Sequence, residues 1–398
     1  MANYLYLARE TKLYVKIGSD VWEVPILDGF SFSQATTASE VTLSEMENAS
    51  GVSRRAKKVF NDALAPAEWS FSTYSRPFMS AAGGGTDADG AARVHAVEEV
   101  MWALLAGQAY YDGVAYDFKD QSGGTSYFNW STGTTANDTV TIDWGSSNKS
   151  TLGTCSLIFQ VGSGTGKKWY EVTDSVCNEA SIDFDIDGIA MVNWSGFGAV
   201  IQETTEPTVT IAEAITSTNN FIRNRLTQLT IAPNKTGDDT GNYTLAQEGL
   251  MEDDYLITLT GGNITISNNI TFITPEELGF VNYPIGHVTG NRSFSGNFTC
   301  YLDWDDGTGG NLDKQSADFW TDMTALTDVV THSFDLDFAI GGTAEPRMTV
   351  TMPTSHIEIP THSIEDVISL ETNFTGLATT FDQTDEATVG YVMQAVGN

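Results

Sequence analysis

The stretch 260–302, TGGNITISNNITFITPEELGFVNYPIGHVTGNRSFSGNFTCYL, alternates apolar and polar residues with a period of two at both ends. In 263–267, Ile264 and Ile266 point one way and Asn263, Thr265 and Ser267 the other. In 292–301, Phe294 and Phe298 share a face opposed by Ser293, Ser295, Asn297 and Thr299. That period belongs to a half-buried strand, with one face on a core and one in water. The loop between the two runs carries Pro275, Gly279, Pro284 and Gly286. The wet face is Ser, Thr and Asn, with no Lys or Arg.

The first half of the chain reads in the same way. Residues 22–27 and 30–34 are strands around Asp28-Gly29, and 40–45 alternates Val41 and Leu43 against Glu40, Thr42 and Ser44. The loop 46–67 holds the basic cluster Arg54, Arg55, Lys57 and Lys58, and 68–74 (EWSFSTY) is the next strand. Residues 80–90 (SAAGGGTDADG) have the composition of a flexible linker. In 94–106, Val97, Val100, Met101, Leu104 and Leu105 fall at helical spacing, and Gly107 stops the run. With few other helical patterns, the spacing predicts a mainly β (α+β) protein.

The same order recurs later. Phe30 and Phe32 match Ile264 and Ile266, and SFS at 70–72 matches SFS at 293–295. Val97, Met101, Ala103 and Leu104 match Phe319, Met323, Ala325 and Leu326. Residues 169–190 match 356–378 with one residue of slippage. Four matches in one order predict two tandem copies of one unit, 1–203 and 204–398. Each is a sandwich- or barrel-contributing sheet with one flanking helix. The first copy is longer through 116–154, a Gly/Ser/Thr/Trp-rich insertion that reads as a decorating loop or small subdomain. The join lies near 202–210, where QETTEPTV carries Pro207 among polar residues.

The balance of 19 basic against 52 acidic residues gives a net charge of -33, which repels phosphate. A nucleic-acid grip and an anionic membrane are excluded as partners. Three cysteines without a CxxC make neither a disulfide framework nor a zinc site. No apolar run approaches the roughly 18 residues of a membrane span. Acids and a lysine in the first residues predict a cytoplasmic product without a signal peptide.

Motifs that hint at chemistry fail on their details. GSGTGKK at 162–168 has Val161 where a phosphate loop needs Gly and Lys168 where it needs Ser or Thr, so a hairpin turn explains it. DFDIDG at 183–188 opens like a calcium loop, but Trp194 stands where the bidentate Glu is required. Its alternation is that of a strand with an acidic wet face. The five histidines show no HExxH and no pairing with a G-x-S-x-G elbow. No catalytic, cofactor or metal residue is assigned.

Loops of opposite charge stand in equivalent places, Arg54, Arg55, Lys57 and Lys58 in one half and Glu276 and Glu277 in the other. Such loops suit head-to-tail stacking of identical subunits.

The blocks IRNRLTQLTI (222–231), 261–302, WEVPILDGFSFSQATTASEVTLSEM (22–46) and AEWSFSTYSRPF (67–78) resemble the tail tube proteins of long-tailed, siphovirus-like bacteriophages. The likeness is to the duplicated type, in which one chain carries two tube domains and three chains make a ring. It covers most of both halves and fails over about 116–154. It implies an inner barrel built jointly by the subunits, helices outside, and a loop reaching the adjacent ring. The implied partners are copies of the chain, the tape measure, terminator and baseplate or tip proteins, and DNA that passes without specific binding. The implied location is the virion tail, after synthesis in the host cytoplasm.

The residues expected to face the bore are Ser31, Ser33, Glu40, Thr42, Ser44, Ser70 and Ser72. From the second half they are Asn263, Thr265, Ser267, Ser293, Ser295, Asn297 and Thr299. Phe30, Phe32, Val41, Leu43, Phe71, Ile264, Ile266, Phe294 and Phe298 are expected to pack toward the helices. The competing reading is a secreted acidic β adhesin or carbohydrate-binding module, with Trp130 and Trp144 as its platform.

Overall fold

The computed structural model describes residues 5–41, 50, 58–80, 93–107, 110–111, 118–119, 127–131, 137–144, 152–210, 219–233, 254–277, 282–304, 315–325, 334–343, 345–380 and 383–394. It is mainly β. The chain begins with β1 (Lys12–Ile17), β2 (Asp20–Val24), β3 (Phe30–Ser33), β4 (Thr36–Val41), β5 (Lys58–Leu64) and β6 (Ala67–Tyr74). Then come β7 (Pro77–Met79), β8 (Val94–Ala96), α1 (Glu99–Ala106), β9 (Tyr110–Tyr111), β10 (Phe118–Lys119), β11 (Phe128–Ser131) and β12 (Asn137–Ile142). The middle of the chain forms β13 (Cys155–Val161), β14 (Lys168–Asp185), β15 (Met191–Gly198) and β16 (Ile201–Thr204). It continues with β17 (Gln228–Pro233), β18 (Tyr255–Ser267), β19 (Thr271–Ile273), β20 (Gly286–Val288), β21 (Ser293–Tyr301) and α2 (Ser316–Ala325). The last strands are β22 (Phe334–Ile340), β23 (Arg347–Ile357), β24 (Thr361–Ile364), β25 (Ile368–Gly376) and β26 (Thr388–Gln394).

Six strands close on themselves. β17 pairs with β18, β18 with β21, β21 with β25, β25 with β23, β23 with β22, and β22 with β17. This antiparallel barrel has no open seam, so every backbone edge inside it is satisfied. Its interior holds Leu229, Ile257, Ile264, Phe298, Phe338, Val350 and Phe374, none more than 2% exposed. In the first half the same order runs β2–β1–β13–β14–β15–β6–β3. There the short gap between β2 and β3 is bridged by Leu27, whose N–H donates to Ser72 O at 2.9 Å. The turn from β1 to β2 is made by Gly18 at φ 61°, a conformation that glycine adopts without strain.

The ladders repeat in detail. β13 slips register between Cys155 and Leu157 against β14, and β22 slips between Phe334 and Leu336 against β23. β16 returns onto β14 as β26 returns onto β23. These ladders equate β14 with β23 and β24 together, so Trp169 stands where Thr349 does and not where His356 does.

Several expectations are corrected. The helix is confined to Glu99–Ala106, because Val94–Ala96 is a strand paired with Pro77–Met79. Nor is α1 amphipathic in use, since all eight of its residues are buried. Its far side is covered by the insertion and by β26. Trp102 lies edge-on to Trp194 and Trp144, with ring centroids 4.8 and 6.5 Å away. The insertion itself is no mere decoration. β12 pairs along six residues with β26, from Asn137 opposite Gln394 to Ile142 opposite Val389. The aromatic side chains expected against the helices mostly pack on other strands, as with Phe30 and Phe32 on Phe159 and, in the barrel, Phe298 on Phe374. The side chain of Val41 and residue Leu43 lie outside the described residues. Residues 162–168 form the hairpin turn between β13 and β14, as the sequence predicts. Among the described residues, no helix is long and apolar enough to cross a membrane.

Candidate functional site

The two halves join through the β12–β26 ladder and, in the main sheet, through a second one. β14, after pairing with β15 on one edge, pairs with β18 on the other, from Glu179 opposite Ser267 to Asp185 opposite Gly261. The result is a continuous eight-strand sheet in the order β3–β6–β15–β14–β18–β21–β25–β24. Beyond the register shifts at Cys177/Glu179 and Leu259/Gly261 its strands alternate, so side chains fall into ranks across it. One rank is Ser31, Ser70, Ser195, Glu179, Ser267 and Ser293. The next is Ser72, Asn193, Ser181, Thr265, Ser295 and Thr375. A third runs Tyr74, Met191, Asp183, Asn263, Asn297 and Asn373, and a fourth Asp185, Gly261, Thr299, Glu371 and Thr361.

The opposite face is mostly apolar and buried, with Thr73 and Thr372 among its polar members. Ala180, Ile182, Ile264, Ile266 and Phe294 are 0% exposed, and Trp194 is 1% exposed. Burial of that face in the hydrophobic core fixes the register, because a slip by one residue would exchange the faces. The polar face therefore stays polar by construction.

Hydrogen bonds within and between the ranks, and from the third rank to Glu358, hold side chains in place. Ser72 Oγ donates to Asn193 Oδ1 at 2.6 Å, and Asn193 Nδ2 to Asp183 Oδ2 at 2.5 Å. Ser181 Oγ donates to Asp183 Oδ1 at 3.2 Å, and Asn373 Nδ2 to Glu358 Oε2 at 2.8 Å. The ranks contain Glu179, Asp183, Asp185 and Glu371 and no lysine or arginine. Such a surface offers weak hydrogen bonders and fixed negative charge. It has no row of cations on which a polyanion could settle.

The sequence-predicted residues divide three ways. Ser31, Ser33, Ser70, Ser72, Asn263, Thr265, Ser293, Ser295, Asn297 and Thr299 stand together on the polar face. Ser267 is on it too, but the following turn covers it to 8% exposure. Glu40 is not on this sheet: it belongs to β4, which among the described residues pairs with β5 in a separate two-stranded arm. Thr42, Ser44, Arg54, Arg55 and Lys57 lie outside the described residues. Lys58 opens β5, exposed, with its ammonium 5.4 Å from the Phe60 ring centre.

A second arm, β19–β20, leaves the sheet between β18 and β21, as β4–β5 leaves it between β3 and β6. The arms touch. Leu64 N–H donates to Asn282 O at 2.8 Å, and Asn282 N–H to Asp62 O at 3.1 Å. Glu276 and Glu277 are exposed beside this contact, and Glu277 N–H donates to Asn282 Oδ1 at 3.2 Å.

Sequence reasoning missed Glu179, Ser181, Asn193, Ser195, Glu371, Asn373 and Thr375 as members of the face. Their signal was present in the alternation of MVNWSGFG (191–198) and ISLETNFTG (368–376). Among the described residues, no three His, Cys, Asp or Glu converge as a metal site.

The family model described as "Phage tail tube protein" matches residues 5–388. The tail tube protein pb6 of Escherichia phage T5 is 26% identical over 406 residues, covering 97% of this chain and 76% of that protein. A match that spans both halves of the chain, joined to a sheet with one buried and one acidic hydroxyl-bearing face, leaves one reading: the chain belongs to the phage tail tube protein family, the non-enzymatic structural proteins of the virion's tail.

Proposed function

We propose that three copies of this chain form each ring of the tube, and that the polar face of the eight-strand sheet lines the bore through which DNA leaves. The observation that carries the reading is the set of cross-strand ranks spanning both halves on one face. Two tandem units, 1–203 and 204–398, account for the repeated strand order and for the matching register slips in β13 and β22. Each unit supplies four strands to the sheet, so three copies make a ring of sixfold pseudo-symmetry. The ends of the stack meet tape measure, terminator and baseplate or tip proteins.

The arms project from one end of the sheet and suit contact with the next ring. In this reading Lys58 and the cluster Arg54, Arg55 and Lys57 meet acidic surface across the ring boundary, while Glu276 and Glu277 present charge of the other sign. DNA in the bore faces carboxylates and hydroxyls, which solvate it without holding it.

Negative-stain electron microscopy of the purified chain tests this. Rings or filaments with a central hole and three repeats per ring are expected. A monomer at all concentrations, or rings with a different repeat number, overturns the proposal.

A further inference from the structure

β3 and β24 are the outermost strands of the eight-strand sheet. Each has one edge without a strand partner among the described residues. Unpaired edges of this kind are templates for another chain. We propose that β24 of one copy pairs antiparallel with β3 of the next, with Thr361 opposite Ser33, His362 opposite Phe32, Ser363 opposite Ser31 and Ile364 opposite Phe30. This rests on the ring reading above and adds the strands and the register.

The template lies within the chain. At the junction between halves, Ser181 faces Thr265, Ile182 faces Ile264, Asp183 faces Asn263 and Phe184 faces Gly262. The ladders carry these residues onto the free edges. Val172 faces Leu157 as Met352 faces Leu336, and Ser175 faces Cys155 as Ser355 faces Phe334. The same spacing carries Ser181 to Thr361 and Asp183 to Ser363.

On the other side, Gly198 and Gly376 both close onto the residues so equated, approaching the side chains of Val172 and Met352. Gly198 pairs with Ala67 and Gly376 with Phe294, which sets Phe71 against Phe298 and Tyr74 against Tyr301. Phe71 faces Phe30 and Phe298 faces Gly262, so Ser31 and Ser33 take the places of Asn263 and Thr265.

Two features independent of that mapping agree with it. β3 and β24 are each four residues long, and the register pairs them over their whole length. The faces also match. Ser363 and Thr361 share the polar face with Ser369 and Glu371, and meet Ser31 and Ser33. His362, packed on Trp320 with ring centroids 4.6 Å apart, and Ile364 meet Phe32 and Phe30 on the core side. Ile364 is 77% exposed in the single chain, whereas Phe184, which holds its place at the internal junction, is 3% exposed. Docking gives Ile364 the cover that Phe184 already has.

Paired cysteines in the full chain test the register. The native Cys155, Cys177 and Cys300 are buried, and burial pushes their thiols up, Cys300 to about 12, so they stay unreactive. S31C with S363C, and separately S33C with T361C, should oxidise within assembled rings to covalent dimers and closed trimers on a non-reducing gel. The control S31C with H362C places its thiols on opposite faces and should cross-link at least about tenfold less, because disulfides tolerate only short Cβ separations. Tubes in which neither matched pair cross-links, or in which the control does so equally, overturn the register. Absence of rings from the unsubstituted protein overturns the ring reading instead, and microscopy separates the two failures.

Discussion

Tyr391, on the last strand, donates its hydroxyl hydrogen to Glu98 Oε1 at the head of α1, 2.6 Å away. Trp102 Nε1 in turn donates to Tyr391 Oη at 2.9 Å. The last strand is thus tied to α1 through a fully buried carboxyl. Burial raises the Glu98 pKa to about 7, against the opposing pull of the Tyr391 hydrogen bond and the Arg76 charge.

The folded protein therefore holds a proton on Glu98 across the range from the ordinary carboxyl pKa of 4.5 up to about 7, where the unfolded chain has released it. Stability falls as pH rises through that window and levels off above it. The penalty is on the order of 3 kcal/mol. Glu98→Gln keeps an acceptor for Tyr391 without the charge, so its melting temperature should lose less between pH 5 and pH 8 than the parent's. Parallel pH profiles for the two proteins would remove Glu98 from this role.

Gly296 sits where β21 crosses beneath Phe374. A Cβ there would lie 2.1 Å from Asn263 O and 2.6 Å from Phe374 Cζ. Backbone on one side leaves no room to yield, so Gly296→Ala should destabilise by about 1–3 kcal/mol. At Gly286 a Cβ meets nothing within 4 Å, and Gly286→Ala should leave the denaturation midpoint unchanged. Equal midpoints for both variants would mean that β21 and β25 are not packed this closely.

Alternation made β6 and β21 legible in the sequence, because one face of each is buried and the other wet along its whole length. The same property left β15 and β25 equally readable. Partner choice was not readable. Glu40 sits in a run that alternates, and it is a strand, but local periodicity does not say which sheet a strand joins. Tertiary contacts decide that, and they put β4 against β5. The junction of β14 with β18 and of β12 with β26 is likewise hidden, since each pairs segments far apart in the chain. The helix was overextended at its start because Val94 and Val97 are apolar in either secondary structure. Only the pairing of Val94–Ala96 with Pro77–Met79 distinguishes the two.

Ser181 and Thr265 face each other across the internal junction on the polar face. Lysine at both keeps the strand and leaves the buried face untouched, so rings and tubes should form. The added cations would give passing phosphates a place to rest. DNA release from otherwise normal particles should slow, with the delay shrinking as salt rises. Unchanged release kinetics in well-formed particles would place this face away from the bore.

The arms carry two kinds of surface, and salt separates them. Lys58 supplies charge, with Arg54, Arg55 and Lys57 close before it in the sequence, while Val59, Phe60, Tyr283 and Ile285 are 57%, 49%, 52% and 66% exposed apolar surface on the same pair of arms. Charge contacts between rings weaken as the screening length falls from about 10 Å at 0.1 M to about 3 Å at 1 M salt, and apolar contacts do not. Replacing the four cations with glutamate should shorten filaments at low salt and make little difference at high salt. Ile285→Ser should shorten them at both. Filament lengths from electron micrographs decide between the contributions, and lengths indifferent to both variants would show that the arms do not bridge rings.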